Sequence, residues 1–210
     1  INHNFFNPYF FQAVNSMNTA IIKFNSLPYS IWTSTQYNDF FSVDIRIGTI
    51  IQAKENNLLI IPVTLRSKTG HSLPSGTSFA REAWLETIVK DVYADTIIFS
   101  SGTIEESTSS LNLLDSNLVL YTSYLLGAGG DTITSVTDAY DIIPQMLPGL
   151  KSRVHKYEIS KDFNTMVQLS ISIRMRFRAF KPIFLAEHTE LLNRQPIFEM
   201  IRIHTNYNVP

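Results

Sequence analysis

Cysteine is absent from the 210 residues. That excludes disulfides, thiolate metal sites, a cysteine nucleophile and covalent c-type haem attachment by this chain. Charge is also sparse: 17% of residues are charged, and the formal net charge is −1. So balanced a chain gives no reason to expect nucleic acid or an anionic membrane surface as partner. No apolar run approaches the roughly 18 residues that cross a bilayer as a helix. There is no Walker loop, no Gly-x-Ser-x-Gly elbow and no His pair at zinc spacing, so neither a catalytic constellation nor a self-contained metal site emerges.

What remains is a chain with 44% hydrophobic residues, enough for a proper core in one domain. It opens at Ile1 without a basic-then-apolar signal pattern, so a processed chain, a fragment or a later start is expected. Residues 1–41 read as a helix and loop segment. Pro8 suits a first helical turn, and Phe10, Val14, Met17 and Ile21 recur at helical spacing. Such a stripe packs on the domain or on a partner.

From residue 42 the period changes to two, and residues 42–210 are expected to form the second unit, a β-sandwich. Val43, Ile45 and Ile47 alternate with Asp44, Arg46 and Gly48, as in a half-buried strand. Further strands are expected at Leu58–Leu65, Ala83–Lys90, Thr96–Phe99 and Leu118–Leu125. Pro62 cannot donate to a ladder, which points to an edge strand or a bulge there. The longest alternation puts Val167, Leu169, Ile171, Ile173, Met175 and Phe177 on one face. Arg174, Arg176 and Arg178 fall on the other. A slip of one residue would bury three arginines, so the register is strongly specified. A short helix is expected over Ala186–Arg194 and a strand-like tail over Pro196–Ile203. The expected fold is mainly all-β: an antiparallel, immunoglobulin-like β-sandwich with a short helix towards each end.

Gly70-His71-Ser72-Leu73-Pro74-Ser75-Gly76 is the segment most suggestive of chemistry. Two glycines and a proline shape a tight loop with His71 near its tip. An imidazole held there can offer one nitrogen to a metal if the other is fixed by an acceptor. The plainer alternative is a loop histidine bonding its own backbone. The arginine stripe has two readings as well: pairing with acidic side chains across strands, or docking to anionic groups such as haem propionates. Gly127 to Asp131, with Asp138 and Asp141, lacks the regular spacing of a calcium loop and reads as solvated.

The run from Thr69 to Asp91 resembles a segment of exported multihaem c-type cytochromes: Gly-His-x-x-Pro-Thr-Gly, an Arg, a Trp-Leu and a strand ending in Asp. Ser101-Gly102, Leu147-Pro148-Gly149 with Tyr157, and Arg178 with Phe180 and Pro182 match later landmarks of the same family. The opening Asn2-His3-Asn4-Phe5 resembles the His-x-Phe that follows its haem-bearing part. The resemblance implies a β-sandwich serving c-type haem units outside the cytoplasm, in the periplasm or at the cell surface. It implies His71 and His3 as distal axial ligands to the iron of a partner's haem c. The family's Cys-x-x-Cys-His sites are missing, and Ser75 stands where Thr is usual. Hence the haems belong to a partner chain, or the chain is the tail of a longer cytochrome, or the sandwich has become structural. The expectation is a non-enzymatic accessory subunit of an electron-transfer assembly. The alternative is a structural or adhesive sandwich in a cell-surface filament or layer, as a homo- or hetero-oligomer without cofactor contact.

Overall fold

The computed structural model describes residues 43–53, 57–105, 110–161, 167–186 and 195–209. The expected helix over residues 8–24, His3, His188 and residues 187–194 of the expected second helix lie outside them. Among the described residues the chain is all-β apart from a single 3-10 turn at Pro182–Leu185. Among the described residues no helix is long and apolar enough to cross a membrane.

Eleven strands are described: β1 (Val43–Ile47), β2 (Ile51–Ala53), β3 (Leu58–Ser67), β4 (Glu82–Asp91), β5 (Thr96–Ser101), β6 (Val119–Leu126), β7 (Thr132–Ile133), β8 (Asp141–Gln145), β9 (Ser152–Ser160), β10 (Val167–Arg178) and β11 (Phe198–Val209). All pairings are antiparallel. In the smaller sheet β3 is flanked by β1 and β2 on one edge and by β9 on the other. In the larger sheet β11, β10, β4 and β6 follow in order. β5 also pairs with β4, and β7 and β8 with β6. The two sheets pack face to face as a sandwich, not a closed barrel.

The core follows from period-two alternation. Leu59, Ile61, Val63 and Leu65 of β3 face Leu169, Ile171, Ile173 and Met175 of β10, all at 0% exposure. Each such side chain contributes about 1.5–3 kcal/mol on burial. The register expected for β10 is therefore the observed one. Pro62 sits in a central strand and not at an edge, for a local reason. β1 pairs as far as Ile47 with Val63, and β2 resumes with Ile51 opposite Ile60. Three residues thus face two, which is a bulge, and Pro62 lies where the ladder is interrupted. Its carbonyl still accepts a bond from the Gly48 N–H at 2.8 Å.

The outer face of the larger sheet is also covered. Trp84 of β4 is fully buried there with Leu111 and Leu120. Its indole N–H donates to the Gly102 carbonyl at 3.0 Å. Gly102 adopts φ +66°, and a Cβ would stand 2.1 Å from the Leu85 carbonyl oxygen, so only glycine fits. Asp115 secures this turn, accepting from the Ser101 hydroxyl at 2.7 Å and the Gly102 N–H at 3.1 Å. Ser101-Gly102 is thus the lid over Trp84.

Candidate functional site

The loop between β3 and β4 is pinned on both sides of His71. Before it, the Leu150 N–H donates to the Thr69 carbonyl at 2.9 Å, and the Thr69 hydroxyl donates to the His71 carbonyl at 2.8 Å. After it, Leu73 and Leu147 exchange two backbone hydrogen bonds of 2.8 and 2.9 Å, with both side chains buried. Leu147-Pro148-Gly149 therefore packs against Gly70-His71. A Cβ on Gly149 would lie 2.8 Å from both the Gly70 carbonyl carbon and the His71 nitrogen. The far end is closed by Arg81, whose guanidinium donates to the Ser75 carbonyl at 2.6 Å. Gly76 there takes φ +71°, a value that favours glycine.

His71 is exposed on this rigid loop. Its Nδ1 lies 3.3 Å from the Ser72 carbonyl. A carbonyl can only accept, so Nδ1 carries the proton and Nε2 of the neutral ring keeps its lone pair. This self-backbone bond is both the plainer role foreseen for the residue and the condition for ligation, a fixed second nitrogen. Leu150 is 64% exposed at φ +56°, the left-handed region, which a leucine seldom occupies.

The other two described histidines differ. His155 shares a 2.7 Å hydrogen bond with the Tyr121 hydroxyl between the two sheets. Burial pushes the imidazole below its ordinary value, helped by the Arg153 charge, and pushes the phenol up. His204 is exposed on β11, opposite Ser172 of β10. No group of three or more metal-ligating side chains forms among the described residues.

Arg174 and Arg178 of β10 stand opposite Glu86 and Glu82 of β4, while Arg176 stands opposite Trp84 and reaches Glu86 diagonally. Arg174 donates to Glu86 Oε1 at 2.6 Å, and Arg176 donates to Glu86 Oε2 at 2.6 Å. Arg174 also reaches Glu199 at 3.3 Å. Arg178 is buried and paired with Glu82, and burial lowers its pKa while that carboxylate opposes the shift. Burial likewise raises the Glu82 pKa against the pull of Arg178. Arg176 and Arg178 lie over the Trp84 ring, at 5.7 and 5.3 Å from its centroid, adding cation–π attraction. Cross-strand pairing, one of the two readings of the stripe, accounts for all three side chains. The partners, Glu82 and Glu86, stand four apart on one face of β4, a spacing that the sequence reading did not single out.

Sequence reasoning passed over a cleft of about 260 Å³ at the other end of β6. It is lined by β6, β7 and the 3-10 turn, with Lys181 and the Glu82–Arg178 pair among its walls. No local motif announces it, because its lining comes from five separate segments.

No protein-family model matches the sequence, and no curated protein matches it either. Among solved structures, the putative ApaA protein from Bordetella pertussis aligns at 6% identity over 78% of this chain and 92% of that one. Its TM-score of 0.28 is too low to carry an argument. The fold is similar to part of a penta-haem cytochrome c552 from Thermochromatium tepidum, with a TM-score of 0.61 at 16% identity over 79% of this chain. The match covers 40% of that cytochrome, so the chain spans about two fifths of its length, and the likeness is one of fold.

Proposed function

We propose that the chain is a non-enzymatic β-sandwich component of an extracytoplasmic multihaem c-type cytochrome assembly, packing against haems attached to other polypeptide and offering His71 as a distal axial ligand. The observation that carries this reading is the His71 ring: exposed, on a loop pinned at both ends, with Nδ1 donating to the Ser72 carbonyl and the Nε2 lone pair left to ligate. The fold likeness to a penta-haem cytochrome supports the choice of haem over other metals. A second ligand from His3 rests on the sequence resemblance alone.

Haem c, held by the other polypeptide, would supply reversible one-electron chemistry, with His71 as a nitrogen ligand to its iron. The chain's own part is to fix the imidazole tautomer through the Ser72 carbonyl and hold the loop through the Leu73–Leu147 bridge. With Arg174 and Arg176 paired to Glu86, docking to propionates is a minor part of this proposal.

An absorption spectrum of the natively purified complex tests it. A Soret band co-purifying in fixed ratio to the chain is the expected result, and a colourless complex would contradict it. That colourless outcome would favour the structural or adhesive reading, which rests on exposed apolar side chains such as Tyr140 and Leu114.

A further inference from the structure

We propose that the cleft beside the Pro182–Leu185 turn binds a small free carboxylic acid with an apolar body, held through its carboxylate by Lys181. The inference is independent of the haem reading. Phe79, Leu111, Leu113, Ile133 and Phe184 give the cleft apolar walls, with Phe79 and Phe184 packed edge to face at 6.1 Å. Leu113 and Ile183 remain 69% and 61% exposed, apolar surface that an occupant would cover.

Charge selects the ligand. Lys181 Nζ donates to the Ser123 carbonyl at 2.8 Å and sits 4.7 Å over the Tyr124 ring. It makes no ion pair among the described residues. Glu82, which acts on it through space, is held by Arg178. A half-buried ammonium in an apolar cleft is undercompensated, and a carboxylate brought to its remaining donors would relieve it. The volume of about 260 Å³ suits an apolar body of about ten carbon atoms, below the usual drug-sized pocket. Pockets of this kind take most affinity from the walls and orientation from the few polar groups.

Isothermal titration of the full chain with decanoate tests the assignment, with 1-decanol as the uncharged control. One saturable decanoate site is expected, weakened about tenfold or more by Lys181→Met. Decanol binding should be weaker and indifferent to that change. Leu113→Asp, at an exposed rim position, should abolish decanoate binding while leaving the thermal midpoint near that of the parent. If Lys181→Met does not fold, Lys181→Arg replaces it and should retain binding. The proposal is overturned by equal decanoate affinity in the parent and Lys181→Met, by loss of binding in Lys181→Arg, by equal binding of decanol, or by no saturable heat.

Discussion

Two glycines offer a paired test of how the lid over Trp84 is built. Gly102 and Gly130 both have positive φ, +66° and +81°. Alanine in the left-handed region costs about 1–2 kcal/mol at either position. They differ in space: a Cβ on Gly102 would meet the Leu85 carbonyl oxygen at 2.1 Å, whereas nothing lies within 4 Å of one on Gly130. Leu85 belongs to the central strand β4 and cannot yield, so Gly102→Ala must move the turn. That movement breaks the bond from the buried Trp84 indole, about 1–3 kcal/mol for a donor left unsatisfied. It also strains the Asp115 contacts to Ser101 and Gly102. The expected total is about 4 kcal/mol for Gly102→Ala against about 1 for Gly130→Ala. At about 2–4 °C per kcal/mol for a chain of this size, thermal unfolding followed by circular dichroism should fall by about 8–16 °C in the first variant and about 2–4 °C in the second. Equal shifts would refute the close approach of Gly102 to β4.

Replacing Glu86 by Gln removes the carboxylate shared by Arg174 and Arg176 at a 4% exposed position, leaving Arg176 without its partner and Arg174 with Glu199 alone, and should cost about 3 kcal/mol in urea denaturation. An unchanged midpoint would mean that both arginines re-solvate freely. His155 gives a pH dependence: burial holds its folded pKa below the ordinary 6.5, so below pH 6.5 the unfolded chain binds a proton that the folded chain refuses. Stability should therefore fall as pH drops through and below 6.5, and the profile of His155→Gln should be flatter there. Parallel profiles would remove His155 as the cause.

The strands that bury one clean face were legible from residues alone. β10 alternates cleanly from Leu169 to Met175, and a slip of one residue would put its four buried apolar side chains on the outer face. At its end Arg178 is buried all the same, because Glu82 pairs with it. β8 and β9 were not read from periodicity, for different reasons. β8 is exposed at every position, so no buried face imposed an alternation, and Pro144 hid it further. β9 buries Tyr157 and Ile159 but carries Arg153 and His155 in the same phase, while Val154 points outward at 61% exposure. Half of that strand therefore contradicts the pattern of the other half. At the site, two glycines and a proline announced the His71 loop. Its fixation by Leu147 and Gly149 is a contact about 75 residues distant in sequence, which no local pattern reports. The Lys181 cleft was illegible for the same reason.

The most direct test of the haem proposal is the spectrum of the complex carrying His71→Ala, compared with the parent complex at equal haem content. Loss of one imidazole should convert one haem from six-coordinate low-spin to five-coordinate high-spin iron and shift its potential. The fold should survive, because the ring is exposed and loses only its bond to the Ser72 carbonyl, while the loop stays held by its backbone bonds to Leu147 and Leu150. An unaltered haem spectrum from an intact complex would contradict ligation by His71.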